Sequence, residues 1–219
     1  MLKRNVSAEM SSAEFFARAK ARLTFDIPSG LTDPSIIPLS GDQGTDQMLK
    51  AIAQEQPIRP AAVLIGIVDH EKPTVLLTQR AAHLNDHGGQ ISFPGGKIDA
   101  TDRSPLDTAL REAEEEIGLD RSFVTPVGYL DLYGTGFGFR ILPTVARIRP
   151  GFELSVNTNE VDEAFEVPLA FLMDPINHQI HSKEWRGIQR SYYAMPFSER
   201  YIWGATAGML RVLYERIIN

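Results

Sequence analysis

The chain has 219 residues, 43% hydrophobic and 23% charged, with a formal net charge of -6 and no cysteine. That length suffices for one well-packed domain with a sizeable core and is short for two. The missing thiols exclude disulfides, zinc–thiolate sites and cysteine nucleophiles, and the acidic balance argues against the basic surface that drives non-specific nucleic-acid binding.

In chain order, residues 1–23 carry basic residues but lack the long apolar centre of a secretory signal, and Glu9 and Glu14 are foreign to an organellar transit peptide. No apolar run approaches the ~20 residues of a membrane span, and Ile217-Ile218-Asn219 is not a peroxisomal tail. A cytoplasmic protein is the expectation. Phe15, Phe16, Ala19 and Leu23 predict an amphipathic helix over 12–23, capped by Ser11 or Ser12. The stretch from Asp26 to about Thr45 is rich in Pro, Gly, Ser and Asp yet carries Ile36, Ile37 and Leu39, which suits a loop wrapping the domain. Residues 1–45 are therefore set apart as an N-terminal helix and wrapping extension, and 46–219 as the main domain, opening with a short helix near 46–54.

Strands are expected at 61–68 and 74–80, short apolar runs separated by a polar connection with Pro73. Others are expected at 124–133, 141–148, near 164–167 and over 188–195. The run Gly134-Thr-Gly-Phe-Gly138 lacks the Lys-Ser/Thr of a phosphate-binding P-loop and suits a hairpin. Residues 203–217 read as a helix with one apolar face. Strands with helices at both ends and one between predict an α/β (α+β) fold with helices covering a mixed sheet.

The most informative stretch is Gly95 to Leu119. Ser104 is an N-cap, Pro105 fits the first helical position, Asp107 completes a capping box, and Gly118 is a stop. On that helix Leu106, Leu110, Ala113 and Ile117 form an apolar stripe, with Glu112, Glu115 and Glu116 on the opposite side. Glu112 and Glu116 are one turn apart, a like-charge pair that costs roughly 0.2–0.5 kcal/mol on a bare helix. Arg111 lies one turn before Glu115 and can pair with it. Two readings of the face compete: a solvated acidic surface, or a site for a hard divalent cation, which takes several oxygen ligands. The Phe93-Pro94-Gly95-Gly96 turn upstream has no bulky side chain at its glycines, so backbone carbonyls and a phosphate could approach the same face.

The segment resembles the Nudix box: a Gly, five residues, an acid, seven residues, then Arg-Glu-apolar-x-Glu-Glu-x-Gly-apolar. Arg111, Glu112, Ala113, Glu115, Glu116, Gly118 and Leu119 match the second half. Gly96 and Asp102 fit the first, although Asp replaces the usual Glu and eight residues, not seven, precede Arg111. Upstream, Leu76-Leu77-Thr78-x-Arg80-Ala81, Gly89 and Phe93-Pro94-Gly95-Gly96 are similar to the motif of coenzyme A pyrophosphatases within that superfamily. Asn85 stands where that motif has a basic residue, which bears on substrate affinity or choice. Ile202-Trp203-Gly204-Ala205-Thr206 also resembles the subgroup.

The resemblance implies a Nudix-type α/β/α sandwich with a mixed sheet and a loop–helix–loop catalytic motif. It implies metal-dependent hydrolysis of a diphosphate, with coenzyme A yielding 3′-phospho-AMP and 4′-phosphopantetheine. Glu112, Glu115 and Glu116 are assigned to Mg²⁺ or Mn²⁺, with the Gly96 carbonyl as a further ligand; Glu115 can alternatively act as base. Arg111 is expected to orient a carboxylate. Glu160 is the candidate second base or outer ligand; Arg80, Lys97 and Gly95 are placed at the substrate phosphates. His87 could touch a phosphate or hold a turn, and Trp185, Trp203 and Phe139 could stack on adenine or pack in the core. The partner expected is a nucleotide-like small molecule, with no nucleic acid and no membrane; a homodimer is compatible. ADP-ribose or NADH hydrolysis is the first rival function. A non-catalytic nucleotide-binding protein is the second, against which all three box carboxylates are intact.

Overall fold

Two apolar strands, β2 (Arg59–Val68) and β8 (Phe139–Ile148), run parallel in unbroken register from Arg59↔Phe139 to Val68↔Ile148 and form the spine of the molecule. Strands buried on both faces read as near-continuous apolar runs, as both do. The computed structural model describes residues 10–41, 56–185 and 188–219, with the side chains of Trp185 and Ile188 left aside. The expected helix at 46–54 and the boundary at 45/46 lie outside the described residues.

Around the spine lies a mixed sheet in the order β1 (Ser40–Gly41), β7 (Tyr133–Gly134), β8, β2, β3 (Thr74–Arg80) and β4 (Ile91–Ser92). β5 (Gly95–Lys97) pairs with β2, β6 (Val124–Tyr129) with β8, and β9 (Val161–Pro168) with β3. The hairpin pairing of β2 with β3 covers only Ile67↔Val75 and Val68↔Thr74, and β2 pairs with β5 instead at Ala61↔Lys97 to Val63↔Gly95. That exchange of partner brings the Gly95-Gly96 backbone beside the centre of the sheet.

Alternation along the strands separates two cores. Ile65, Ile67, Val75 and Leu77 face α1 (Ser12–Arg22) and α4 (Ala205–Ile217), with Phe15, Phe16, Leu210 and Leu213. Ala62, Leu64, Val68 and Leu76 face α2 (Pro105–Ile117), meeting Ala109, Ala113 and Ile117. The layers are thus the helix–sheet–helix sandwich expected. Full burial of a side chain such as Ile117 is worth roughly 1.5–3 kcal/mol, so the sheet, rather than helix propensity, fixes α2 in place. α3 (Leu169–Leu172) is a single turn. A separate antiparallel sheet, β10 (Gln179–Trp185), β11 (Ile188–Phe197) and β12 (Arg200–Trp203), packs Met195 and Ile202 into the α1/α4 core.

Among the described residues no helix is long and apolar enough to cross a membrane. The observed strands match the expectations at 61–68, 74–80, 141–148 and 188–195 within a few residues, and the glycine run 134–138 joins β7 to β8. The segment 124–133 departs: it splits into β6 and β7, with a register shift between Pro126 and Gly128.

Candidate active site

The helix that carries the acidic face is delimited by its own sequence. The Ser104 hydroxyl accepts from the Asp107 N–H at 3.2 Å, Pro105 needs no hydrogen bond where it stands, and Gly118 ends the helix at φ 66°. The Leu119 N–H then reaches back to the Ala113 carbonyl, the pairing of a glycine-terminated helix.

Arg111 is the hub. Its Nε and Nη2 donate to the two oxygens of Asp102 at 2.9 and 3.0 Å, and its Nη1 donates to Glu112 at 2.9 Å and to Glu115 at 3.0 Å. Bidentate guanidinium–carboxylate pairing fixes direction as well as charge. The expected Arg111–Glu115 pair is therefore present, but the stronger anchor is Asp102, whose side chain is only 3% exposed. Arg111 holds the Asp102 carboxyl well below the usual carboxylate range, helped by the Asp99 N–H and the Thr108 hydroxyl, and partly opposed by burial. Asp102 is itself fixed by the turn Asp99–Asp102, closed by Asp102 N–H to the Asp99 carbonyl and Asp99 N–H to the Asp102 carboxylate. Thr108, which donates to Asp102 at 2.8 Å, was not singled out from the sequence; its position one turn after Ser104 was the available signal.

Glu116 departs from the expectation that all three box glutamates lie opposite the apolar stripe. Gly95 and Gly96, expected in a tight turn, instead open strand β5, and Glu116, 3% exposed, is turned in beneath it, where it accepts from the Gly95 N–H at 3.2 Å. Its carboxyl is pushed up to about 7, by burial first and by the neighbouring charges of Glu112 and Glu160, against the Gly95 N–H and Arg80. The Arg80 guanidinium stands 4.0 Å from the same carboxylate. Glu112 is also raised, chiefly by burial, against the pull of Arg111. Glu115 is more than half exposed.

The structure thus gathers Arg80, Gly95, Gly96, Arg111, Glu112, Glu115 and Glu116 at one end of the sheet. Gly96 lies directly over Glu112: a Cβ there would come within 2.6 Å of Glu112 Oε2. Lys97 follows on β5, exposed, and its carbonyl accepts weakly from Arg111 at 3.4 Å. Glu160, in the turn before β9, accepts from the Asn157 amide at 3.0 Å, and its charge is felt by both Glu112 and Glu116. His87 sits in the loop between β3 and β4 at φ 61°, 3.1 Å from Gln90 Oε1 and edge-on to Phe137; it holds the turn. Asn85 is exposed in that loop. Phe139 lies under the Arg59 guanidinium, Trp203 joins an aromatic cluster with Tyr192 and Tyr201, and the Trp185 side chain lies outside the described residues.

Among the described residues no three acidic or histidine side chains converge as a ready cage for a cation. Glu112 and Glu115 lean on Arg111, and Glu116 on Gly95. The donor set still fits Mg²⁺ or Mn²⁺: Mg²⁺ binds through one or two carboxylates and otherwise keeps waters and phosphate oxygens. A glutamate buried beside two others with an incomplete cationic partner is an arrangement that added positive charge would stabilise.

The NUDIX domain model matches residues 57–185. The chain is 38% identical over 159 residues to an uncharacterized Nudix hydrolase named NudL from Photorhabdus laumondii, spanning 73% of this chain and 85% of the relative. It is 39% identical to the protein of that name from Escherichia coli, over 73% of this chain and 83% of the relative. Among solved structures it is similar to the Nudix hydrolase RenU of M. smegmatis, at 22% identity and a TM-score of 0.42 over 53% of this chain and 71% of that one. Nudix hydrolases are pyrophosphohydrolases of nucleoside diphosphate derivatives and use divalent ions such as Mg²⁺ or Mn²⁺. A matched family model over more than half the chain, laid on a loop–helix–loop that carries the whole arginine–glutamate box, makes this chain a member of the Nudix hydrolase family.

Proposed function

We propose that this Nudix hydrolase cleaves the diphosphate of coenzyme A, or of an acyl or oxidised derivative, to 3′-phospho-AMP and 4′-phosphopantetheine. The observation that carries the reading is the place of the upstream motif. Its Arg80 ends β3 with the guanidinium 4.0 Å from Glu116, and its Gly95-Gly96 pair, on β5, lies on the acidic helix face. Arg80, Gly95 and Gly96 of that motif, set beside the acidic helix face, support the reading.

Glu112 and Glu116 would hold Mg²⁺ or Mn²⁺, with Glu115 and the Gly96 carbonyl as further oxygens. When bound, the metal supplies the positive charge a diphosphate needs, polarises its P–O bonds and lowers the pKa of a nearby water. Arg111 keeps Glu112 and Glu115 pointed at the site through its anchor on Asp102. Arg80 and Lys97 bind the substrate's phosphate oxygens, and the bare Gly95 backbone lets them come close. Glu160 or Glu115 accepts a proton from the attacking water. Residues 1–45 serve as an extension wrapping the 46–219 domain, and the enzyme works in the cytoplasm.

The absence of a basic side chain at Asn85 supports a second reading within the same chemistry, hydrolysis of ADP-ribose or NADH. Product analysis on coenzyme A, ADP-ribose and NADH with Mg²⁺ or Mn²⁺, with Glu116→Gln as control, separates the two. The expected result is 3′-phospho-AMP from coenzyme A, lost in the variant. Turnover of ADP-ribose or NADH alone would sink the coenzyme A assignment and keep the site.

A further inference from the structure

The three-stranded sheet β10–β11–β12 has one face in the core and one outside. Residues paired across antiparallel strands share a face, and alternate residues along a strand do too. The pairs Lys183↔Arg190, His181↔Tyr192, Pro196↔Tyr201 and Ala194↔Trp203 therefore place six polar and aromatic side chains on the outer face. Met195 and Ile202, between them in sequence, are fully buried on the inner one.

On the outer face the rings form a connected cluster. Tyr192 and Trp203 lie 5.3 Å apart between centroids, His181 and Tyr192 5.9 Å, and Tyr201 and Trp203 6.4 Å with their planes only 32° apart. His181 Nε2 donates to Gln179 at 3.0 Å, which leaves Nδ1 to accept from the Tyr201 hydroxyl at 2.7 Å. The rings are held in place, yet Tyr201 is 40% exposed and the others are only partly covered. Lys183 and Arg190 add two cations one rung along, on a chain whose net charge is -6.

One edge of the face is linked to the loop that follows Arg80. Arg190 reaches the β7–β8 loop, where a Cβ on Gly136 would lie 2.6 Å from its Nη2. The next residue, Phe137, meets His87 at 6.2 Å, in the loop that runs from Arg80 to β4. At the other end, Thr206, just past Trp203, donates to the carbonyl of Ile91 in β4 at 2.9 Å.

We infer that this face is the subsite for the purine end of the substrate: the base lies on Tyr201, Tyr192 and Trp203, and its ribose phosphate meets Lys183 and Arg190. Aromatic rings stack on bases, and basic side chains beside them take the phosphate. The assignment rests on the pyrophosphohydrolase reading for its substrate but not for its geometry.

The test is calorimetric titration of the full chain, without metal, with 3′-phospho-AMP, AMP and 4′-phosphopantetheine, for the wild type, Tyr201→Ala, Tyr201→Phe and Lys183→Ala. Tyr201→Ala is expected to weaken 3′-phospho-AMP about tenfold, the scale of one lost base–aromatic contact, and to leave 4′-phosphopantetheine unchanged. Tyr201→Phe keeps the ring and is expected within about twofold of wild type. Lys183→Ala is expected to narrow the preference for 3′-phospho-AMP over AMP. In turnover, Tyr201→Ala should raise KM with kcat held. Equal affinity of wild type and Tyr201→Ala for 3′-phospho-AMP would overturn the inference. So would a Tyr201-dependent dimer in sedimentation with no nucleotide binding. Tyr201-dependent binding of 3′-phospho-AMP without coenzyme A turnover would uphold the subsite and fail the substrate assignment.

Discussion

Gly96→Ala tests the acidic site with one methyl group. The new Cβ would stand within 2.6 Å of Glu112 Oε2, closer than real Cβ contacts allow, so the carboxylate must move. It is not free to do so, because Arg111 holds its other oxygen at 2.9 Å and is itself clamped on Asp102. The displacement therefore falls on a proposed metal ligand, and misplacing a catalytic group by about 1 Å can cost on the order of 100-fold in rate. The fold should be spared, since the clash is with a side chain at the surface of α2. Gly95→Ala is the contrast: its Cβ would lie 2.6 Å from Val63 Cα, at a φ of 154°, so it strikes the backbone of the central strand. Metal-titrated steady-state kinetics beside thermal melts read the two apart. Gly96→Ala is expected to lose about 100-fold in kcat/KM with stability within about 1 kcal/mol of wild type. Gly95→Ala is expected to melt several degrees lower. A Gly96→Ala enzyme within a few-fold of wild-type activity would refute the placement of Glu112 at the reaction centre.

Three further outcomes follow from particular residues. Asp102→Asn keeps the shape but breaks the bidentate hold on Arg111, and should lower metal affinity or kcat about 10- to 100-fold, the cost typical of losing a group that orients metal ligands; Thr108→Val should lose less. Thr144 carries a fully buried hydroxyl with no hydrogen-bond partner among the described residues, so Thr144→Val should stabilise by about 1 kcal/mol in denaturant unfolding; destabilisation would reveal a hidden partner. His178 is depressed below its ordinary value by burial first and by Arg211, against the Leu172 carbonyl that its Nε2 donates to at 2.7 Å. Its folded form refuses a proton that the unfolded chain takes up near pH 6.5, so its contribution is full above that pH and declines as pH falls below it. His178→Gln should flatten stability between about pH 5 and 6.5.

Much of this was legible in the sequence because local rules and the fold agree. Ser104, Pro105 and Gly118 bound α2 where their chemistry puts them, and the Val-, Ile- and Leu-rich runs became the two spine strands. The inward turn of Glu116 was not legible, because helical periodicity knows nothing of β5, laid over that flank by its pairing with β2. Nor was Asp102 legible as the main anchor of Arg111. It lies off the helix, and only the Asp99 turn brings it back. β10 has no apolar alternation to announce it, because none of the described side chains of Gln179–Glu184 is buried and even Ile180 is exposed. β12 carries no signal of its own in the sequence, since its four residues pair only with β11, and its last residue, Trp203, stands at the start of the helix expected over 203–217. The motif similarity reached the site by another route. It marked residues on β3, on β5 and on α2, and tertiary pairing then brought those together.

The most direct test of the central claim compares three glutamates of one helix. Glu114 is half exposed and pairs with Arg121 on the far side, whereas Glu112 and Glu116 lie under Gly95 and Gly96 of β5. Diphosphate hydrolysis with Mg²⁺ or Mn²⁺ would be measured for Glu112→Gln, Glu114→Gln and Glu116→Gln. The account predicts a loss of about 100-fold or more for Glu112→Gln and Glu116→Gln and near wild-type turnover for Glu114→Gln. Equal activity across the three would contradict it, and would return the acidic face to an ordinary solvated surface.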